Sequence, residues 1–240
     1  MVAKRISVEE ATSSERLDPG PKRIFLLSPA NASGVRAKML FRPDAEFDLA
    51  GRLRHPGAPL GEVYSFISGL YFRGKLAYAE RFANPSAGVA GVHIITAGAG
   101  LMAPDFRVTL GELERISATA VDHRNHEYRR HLDRDAYQLK TLLEADTDVV
   151  LLGSIATPKY IEPLLEVFGE RLVFPSEFVG RGDMSRGGLL LRCCSTGIPL
   201  VYVPVRGATR HGPRPPKLSS KAARTRRKHK ARTRASASGV

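Results

Sequence analysis

A chain of 240 residues with 42% apolar and 25% charged side chains has the make-up of a globular protein able to bury a sizeable core. No stretch approaches the roughly 18 apolar residues that a membrane helix needs, and the opening "MVAKRISVEEATSSERLDPGPKR" lacks the apolar core of a secretory leader. The net charge of +13 sits at one end: Arg206 to Val240 hold 12 Lys or Arg and no Asp or Glu, so residues 1–205 are close to neutral.

Residues 1–21 are polar, carry Pro19 and Pro21, and read as a flexible N-terminal arm. The run "RIFLLSP" (23–29) predicts a buried strand stopped by proline. "ANASGVRAK" reads as a loop, and residues 44–60 show no clear period. From Glu62 to Phe82 apolar residues recur at three- and four-residue spacing, which predicts a helix weakened by Gly69 and Gly74. Tyr71, Arg73, Lys75 and Tyr78 on that segment fit core and solvated faces, and also a helix that lines a pocket. "VHIIT" is the second expected strand, with Gly98 and Gly100 marking a turn after it. Thr109 followed by Glu112 has the spacing of a capping box.

A longer helix is expected from about Tyr128 to Glu144, with Leu132, Ala136, Leu139 and Leu143 on one face. "DVVLLGS" is the third strand, and "TPKYIEPLLEVFG" a helix with Thr157 as cap and Pro158 in its first turn. "RLVFP" is the fourth strand, the Gly/Arg loop opens a helix through Cys194, and "IPLVYVPV" is the fifth. This order predicts one α/β domain over 22–212, with a largely parallel sheet of about five strands and helices on both faces. Beyond it, 213–240 reads as a disordered basic tail.

The adjacent Cys193 and Cys194 exclude a disulfide framework and favour a reducing, cytoplasmic setting. No cofactor is expected: "ITAGAG" lacks the third glycine of a dinucleotide fingerprint, and no phosphate-loop motif occurs. Nor is a metal, since His123 and His126 share a helical face but His131 does not complete the set.

In an open α/β sheet ligands bind beyond the carboxyl ends of the strands. That rule nominates Ser28, Asn31, Thr96, Gly98, Gly100 and Ser154 as ligand-binding residues. In "VGRGDMSRGGLLLRCC" an anion grip would use Arg181, Ser185 and Arg186 at a helix N-terminus. The plainer reading has Asp183 or Ser185 capping the helix. Asp183 and Asp105 are the candidate catalytic acids or bases, although Asp105 equally suits a turn after Pro104. The Arg-Gly-Asp tripeptide as an adhesion signal needs an extracellular protein and is set aside. In the tail, Lys221, Arg224, Arg226, Arg227, Lys228, Lys230, Arg232 and Arg234 point to non-specific contact with nucleic-acid phosphates, or else to a solubilising segment.

Ser28-Pro29-Ala30 after the first strand, and the turn "GAGLMAPD" (98–105), resemble elements of the bacterial YaaA peroxide-stress family. Related uncharacterised bacterial domains are similar through Gly153, Tyr160 and "EPLL" (162–165). The resemblance implies an α/β protein linked to DNA protection or nucleic-acid metabolism. Asn31 stands where that family has lysine, and the basic tail is additional. Three functions follow as expectations: a nucleic-acid-associated protein with a phosphate- or base-binding crevice, a nucleotide or glycosidic-bond hydrolase, and a non-catalytic nucleic-acid-binding protein.

Overall fold

The computed structural model describes residues 20–216. The expected arm and the basic tail lie outside the described residues, apart from 20–21 and 213–216.

Four short apolar runs build the centre of the fold. In β1 (Arg23–Leu27), Ile24, Phe25, Leu26 and Leu27 are fully buried, so both faces of the strand are covered. Strands β3 (Val92–Ile95), β6 (Asp148–Leu152) and β7 (Leu172–Pro175) lie parallel to it, in the order β3-β1-β6-β7. Phe25 sets the register, opposite Val92 on one side and Val150 on the other. The sheet is mostly parallel and has six strands, because β4 (Leu101–Met102) and β8 (Tyr202–Pro204) add antiparallel edges. Strand β4 forms within the segment read as a turn, and a separate ribbon pairs β2 (Ala58–Pro59) with β5 (Arg107–Val108).

Helices cover the sheet. α6 (His126–Leu142) buries Tyr128, Leu132, Ala136 and Leu139 and packs on α7 (Pro158–Phe168). On α5 (Leu110–Ser117) the capping box is complete: the Glu112 amide donates to Thr109 Oγ1, and the Thr109 amide to Glu112 Oε2 at 2.7 Å. α1 (Val35–Phe41) begins inside the segment read as a loop, and α2 (Asp48–Arg54) arises where no period was legible. Arg52 holds α2, bridging Asp48 at 2.8 Å one turn back and Glu62 at 2.5 Å on the next helix.

The expected helix over 62–82 is two helices. Gly69, at φ +61°, separates α3 (Leu60–Ser68) from α4 (Leu70–Phe82), a backbone state that side chains disfavour. Gly74 stays inside α4, where it meets α8 (Asp183–Thr196). A methyl group on Gly74 would lie 2.8 Å from the Gly187 carbonyl oxygen, and one on Gly187 would lie 2.8 Å from that of Leu70. The two helices thus cross in main-chain contact. No helix among the described residues is long and apolar enough to cross a membrane.

Candidate functional site

The parallel strands reverse their direction of travel between β1 and β6: the chain leaves β1 toward β3, and β6 toward β7. Loops diverging at such a point leave a crevice. A cavity of about 500 Å³ opens there, within the range of small-molecule sites. Ser28, Asn31 and Ser33 after β1 line it, with Ser154 after β6 and Lys159 and Tyr160 from the first turn of α7. Tyr64, Ser68 and Tyr71 come from α3 and α4, Ser117 and Thr119 from the end of α5 and beyond, and Asp183 opens α8.

Hydroxyls therefore dominate the wall, and two have no hydrogen-bond partner among the described residues. Tyr71 Oη and Ser117 Oγ are buried without a hydrogen bond, although buried polar atoms are ordinarily paired. Burial pushes the Tyr71 phenol up to about 12, and those of Tyr64 and Tyr160 upward as well, so all three stay neutral near pH 7. Each remains a donor.

Lys75 lies directly beneath Ser28. It is 1% exposed; its Nζ is 2.5 Å from the Ser28 carbonyl oxygen and 2.9 Å from Ser28 Oγ. The rings of Tyr71 and Phe72 stand 4.7 and 4.6 Å from it. Burial is the main cause that pushes its pKa down to about 7; Arg186 adds to the fall and Asp183 opposes it. The Ser28 amide donates to Leu152 O at 3.2 Å, so the β1–β6 ladder fixes the residue that Lys75 touches.

The other nominated residues divide. Asn31 Oδ1 accepts from the amide and hydroxyl of Ser33 at 3.1 and 2.7 Å, closing the loop at the cavity mouth. Ser154 Oγ accepts from the Ala156 amide at 3.3 Å. Thr96 is fully buried, donates to Gly100 O at 2.9 Å, and accepts from the Ala99 amide at 3.0 Å. With Gly98 and Gly100 it builds the turn into β4 and does not line the cavity. Gly100 has φ +71°, and a side chain there would run into Asp135, whose carboxylate accepts from the Leu101 amide at 2.9 Å. Asp105 is exposed in its turn, away from the cavity.

The Gly/Arg segment contributes only Asp183 to the cavity. The cap residue of α8 is Gly182, with no side-chain hydrogen bond, so neither Asp183 nor Ser185 caps the helix. Arg186 is buried; its Nε and Nη2 donate to Phe178 O at 3.2 and 3.0 Å, and Nη1 stands 3.6 Å from Asp183. Arg181 donates to Glu177 O at 2.9 Å and to Ser185 Oγ at 3.3 Å. Arg181 and Ser185 line a separate groove of about 370 Å³, together with Arg192 and Arg214. The nominated tail residues, Lys221 to Arg234, lie outside the described residues.

Of the three histidines, His123 contacts Asp122 and Glu162 at 3.2 and 3.4 Å, and His131 contacts Glu127 at 3.0 Å. Among the described residues no group of three His, Cys, Asp or Glu is placed to hold a metal ion.

Sequence reasoning missed Tyr64 in the middle of α3, missed Ser68, Ser117 and Thr119, which helix ends bring to the cavity, and missed the place of Lys75. A signal for Lys75 was present. Tyr71, Phe72, Lys75, Tyr78 and Ala79 are all buried and fall on one helical stripe, so the lysine occupies a core position by its spacing. The chain matches no protein-family model, and neither a curated protein nor a solved structure is significantly similar to it.

Proposed function

We propose that this protein binds a nucleotide-class ligand, a nucleoside or nucleotide unit either free or within a nucleic acid, in the cavity between the β1 and β6 loops. The observation that carries this reading is the pair of unmatched buried hydroxyls, Tyr71 Oη and Ser117 Oγ, on two residues that line a space of about 500 Å³. Such groups are costly unless a ligand completes them. Serines and neutral tyrosines suit a sugar and a heterocyclic base. Lys159, in the first turn of α7, suits a phosphate.

The groove with Arg181, Arg192 and Arg214 lies across the start of α8 from Asp183, and it supports a second role in holding a phosphodiester backbone. The basic residues 221–234 would add non-specific attachment. The resemblance to the YaaA family points toward nucleic-acid metabolism in the same way. Cys193 and Cys194 are free thiols, in keeping with the reducing, cytoplasmic setting that goes with this proposal.

The test uses uncharged nucleosides, because any phosphate would also be drawn to the basic segment. Calorimetry and thermal shift of the full chain with adenosine, guanosine, cytidine and uridine should give binding by at least one of them. Tyr71→Phe should weaken that binding by roughly tenfold, the worth of one buried hydrogen bond. If none binds, or if Tyr71→Phe and Ser117→Ala both bind as the parent does, the reading fails.

A further inference from the structure

We propose that Ser28 is a nucleophile and that Lys75, from beneath it, is the base that takes its proton. A lysine ammonium carries three N–H donors and accepts nothing. Around Lys75 Nζ the described residues offer one carbonyl oxygen and one hydroxyl oxygen, both of Ser28, at 2.5 and 2.9 Å. The rest of its surroundings are the faces of Tyr71 and Phe72. A neutral amine meets the same shell with one N–H donated to the carbonyl and its lone pair accepting the Ser28 hydroxyl proton.

The charged groups acting on Lys75 come from one neighbouring helix, α8. Asp183 favours the ammonium and Arg186 disfavours it, and Arg186 also stands 3.6 Å from that same carboxylate. No carboxylate among the described residues lies within ion-pair distance of Nζ. Burial therefore decides the balance, toward the neutral amine.

Position completes the case. Ser28 lines the cavity while Lys75 does not, so the hydroxyl stands between the base and the space where a substrate would sit. The serine is held at the end of β1 by its own amide, donated to Leu152 O at 3.2 Å. Nucleophile and adjacent base within hydrogen-bond reach make up the working part of serine–lysine catalysis.

The step balances without a co-reactant other than water. Ser28 Oγ forms a bond to an acyl or phosphoryl centre as its proton passes to Lys75 Nζ. The bond to the leaving group breaks, and the leaving group receives that proton from the ammonium. Water then attacks the ester on Ser28, giving its proton to Lys75, and Ser28 Oγ leaves with the proton returned. Lys75 exchanges protons with the reacting atoms and is also a buried core residue, so its test needs a readout that packing alone would not move.

The inference does not depend on a nucleotide ligand, because the probe carries no nucleoside. Full-length protein is treated with diisopropyl fluorophosphate. Ser28 Oγ should displace fluoride, and peptide mass spectrometry should place the adduct on Ser28. The labelling rate should rise with pH through a midpoint near 7, that of the buried amine. Lys75→Met should slow labelling at least 100-fold, in line with loss of a general base, and Lys75→Arg should not restore it. Turnover of p-nitrophenyl acetate against p-nitrophenyl phosphate then separates acyl from phosphoryl chemistry. An unlabelled Ser28, or a rate without a midpoint near 7, overturns the proposal. So does a folded Lys75→Met variant labelled at the parent rate; should that variant not fold, the pH profile of the unaltered chain decides.

Discussion

Lys75 and Arg186 are two basic side chains buried in the same pair of packed helices, and each lies against an aromatic ring. Their partners differ. The Arg186 guanidinium forks onto Phe178 O and has the Asp183 carboxylate beside it. Those contacts tie the turn Ser176–Phe178 to α8, and the side chain serves the scaffold. Lys75 meets only the carbonyl and hydroxyl of one serine, and that serine faces an open cavity. A buried charge with fitting acceptors fastens a fold; one without them tends to give up its proton, and that tendency is usable chemistry.

The largest expected effect that breaks or sharpens this contrast comes from Lys75→Met. Between pH 7 and 10.5 the unfolded lysine still holds a proton that the folded one has lost. The lysine's contribution to stability therefore rises with pH across that window, at up to about 1.4 kcal/mol per pH unit, and is flat below it. The difference between parent and variant, measured by urea unfolding at pH 6.5, 8 and 9.5, should shift in the parent's favour as pH rises. A difference independent of pH would mean that Lys75 stays charged, as Arg186 does, and the contrast would vanish.

Arg186→Met comes next. It strands Phe178 O in the interior and should cost roughly 2–4 kcal/mol, somewhat less at pH 6 than at pH 9 because only at pH 6 does its loss also relieve repulsion of the Lys75 ammonium. A cost below about 1 kcal/mol would show that the fork fastens nothing.

Asp183→Asn is the smallest. Its side chain is 71% exposed, so its loss should change stability by less than about 1 kcal/mol. Its negative charge favours the Lys75 ammonium, so the midpoint of fluorophosphate labelling should move to lower pH. Movement to higher pH would reverse the sign assigned to that carboxylate.

The sheet was readable in advance because runs such as "RIFLL" and "DVVLL" are apolar on both faces, which only a covered strand requires. Helices α1 and α2 were not: each has seven residues and no side-chain cap, and α2 is held by Arg52 reaching across to Glu62. At the site, the strand-end rule reached Ser28, Asn31, Ser154 and Asp183, because loops after parallel strands gather on one rim. It also reached Thr96 and Arg186, which hydrogen-bond to a neighbouring turn. No spacing rule announces that Arg186 spends its guanidinium on a carbonyl eight residues back. Ser117 and Thr119 stayed hidden because their place depends on where a helix end comes to rest, and Tyr64 because its place depends on how α3 packs; tertiary packing sets both.

The crossing of α4 and α8 at Gly74 and Gly187 has a consequence for how much this protein can vary. Other helix pairs absorb a changed residue by letting side chains rearrange, but here no such cushion exists. Anything larger than hydrogen at either position forces the two rods apart. One rod carries Tyr71 and Lys75 and the other Asp183, so a single added methyl would detune the chamber and loosen the frame together.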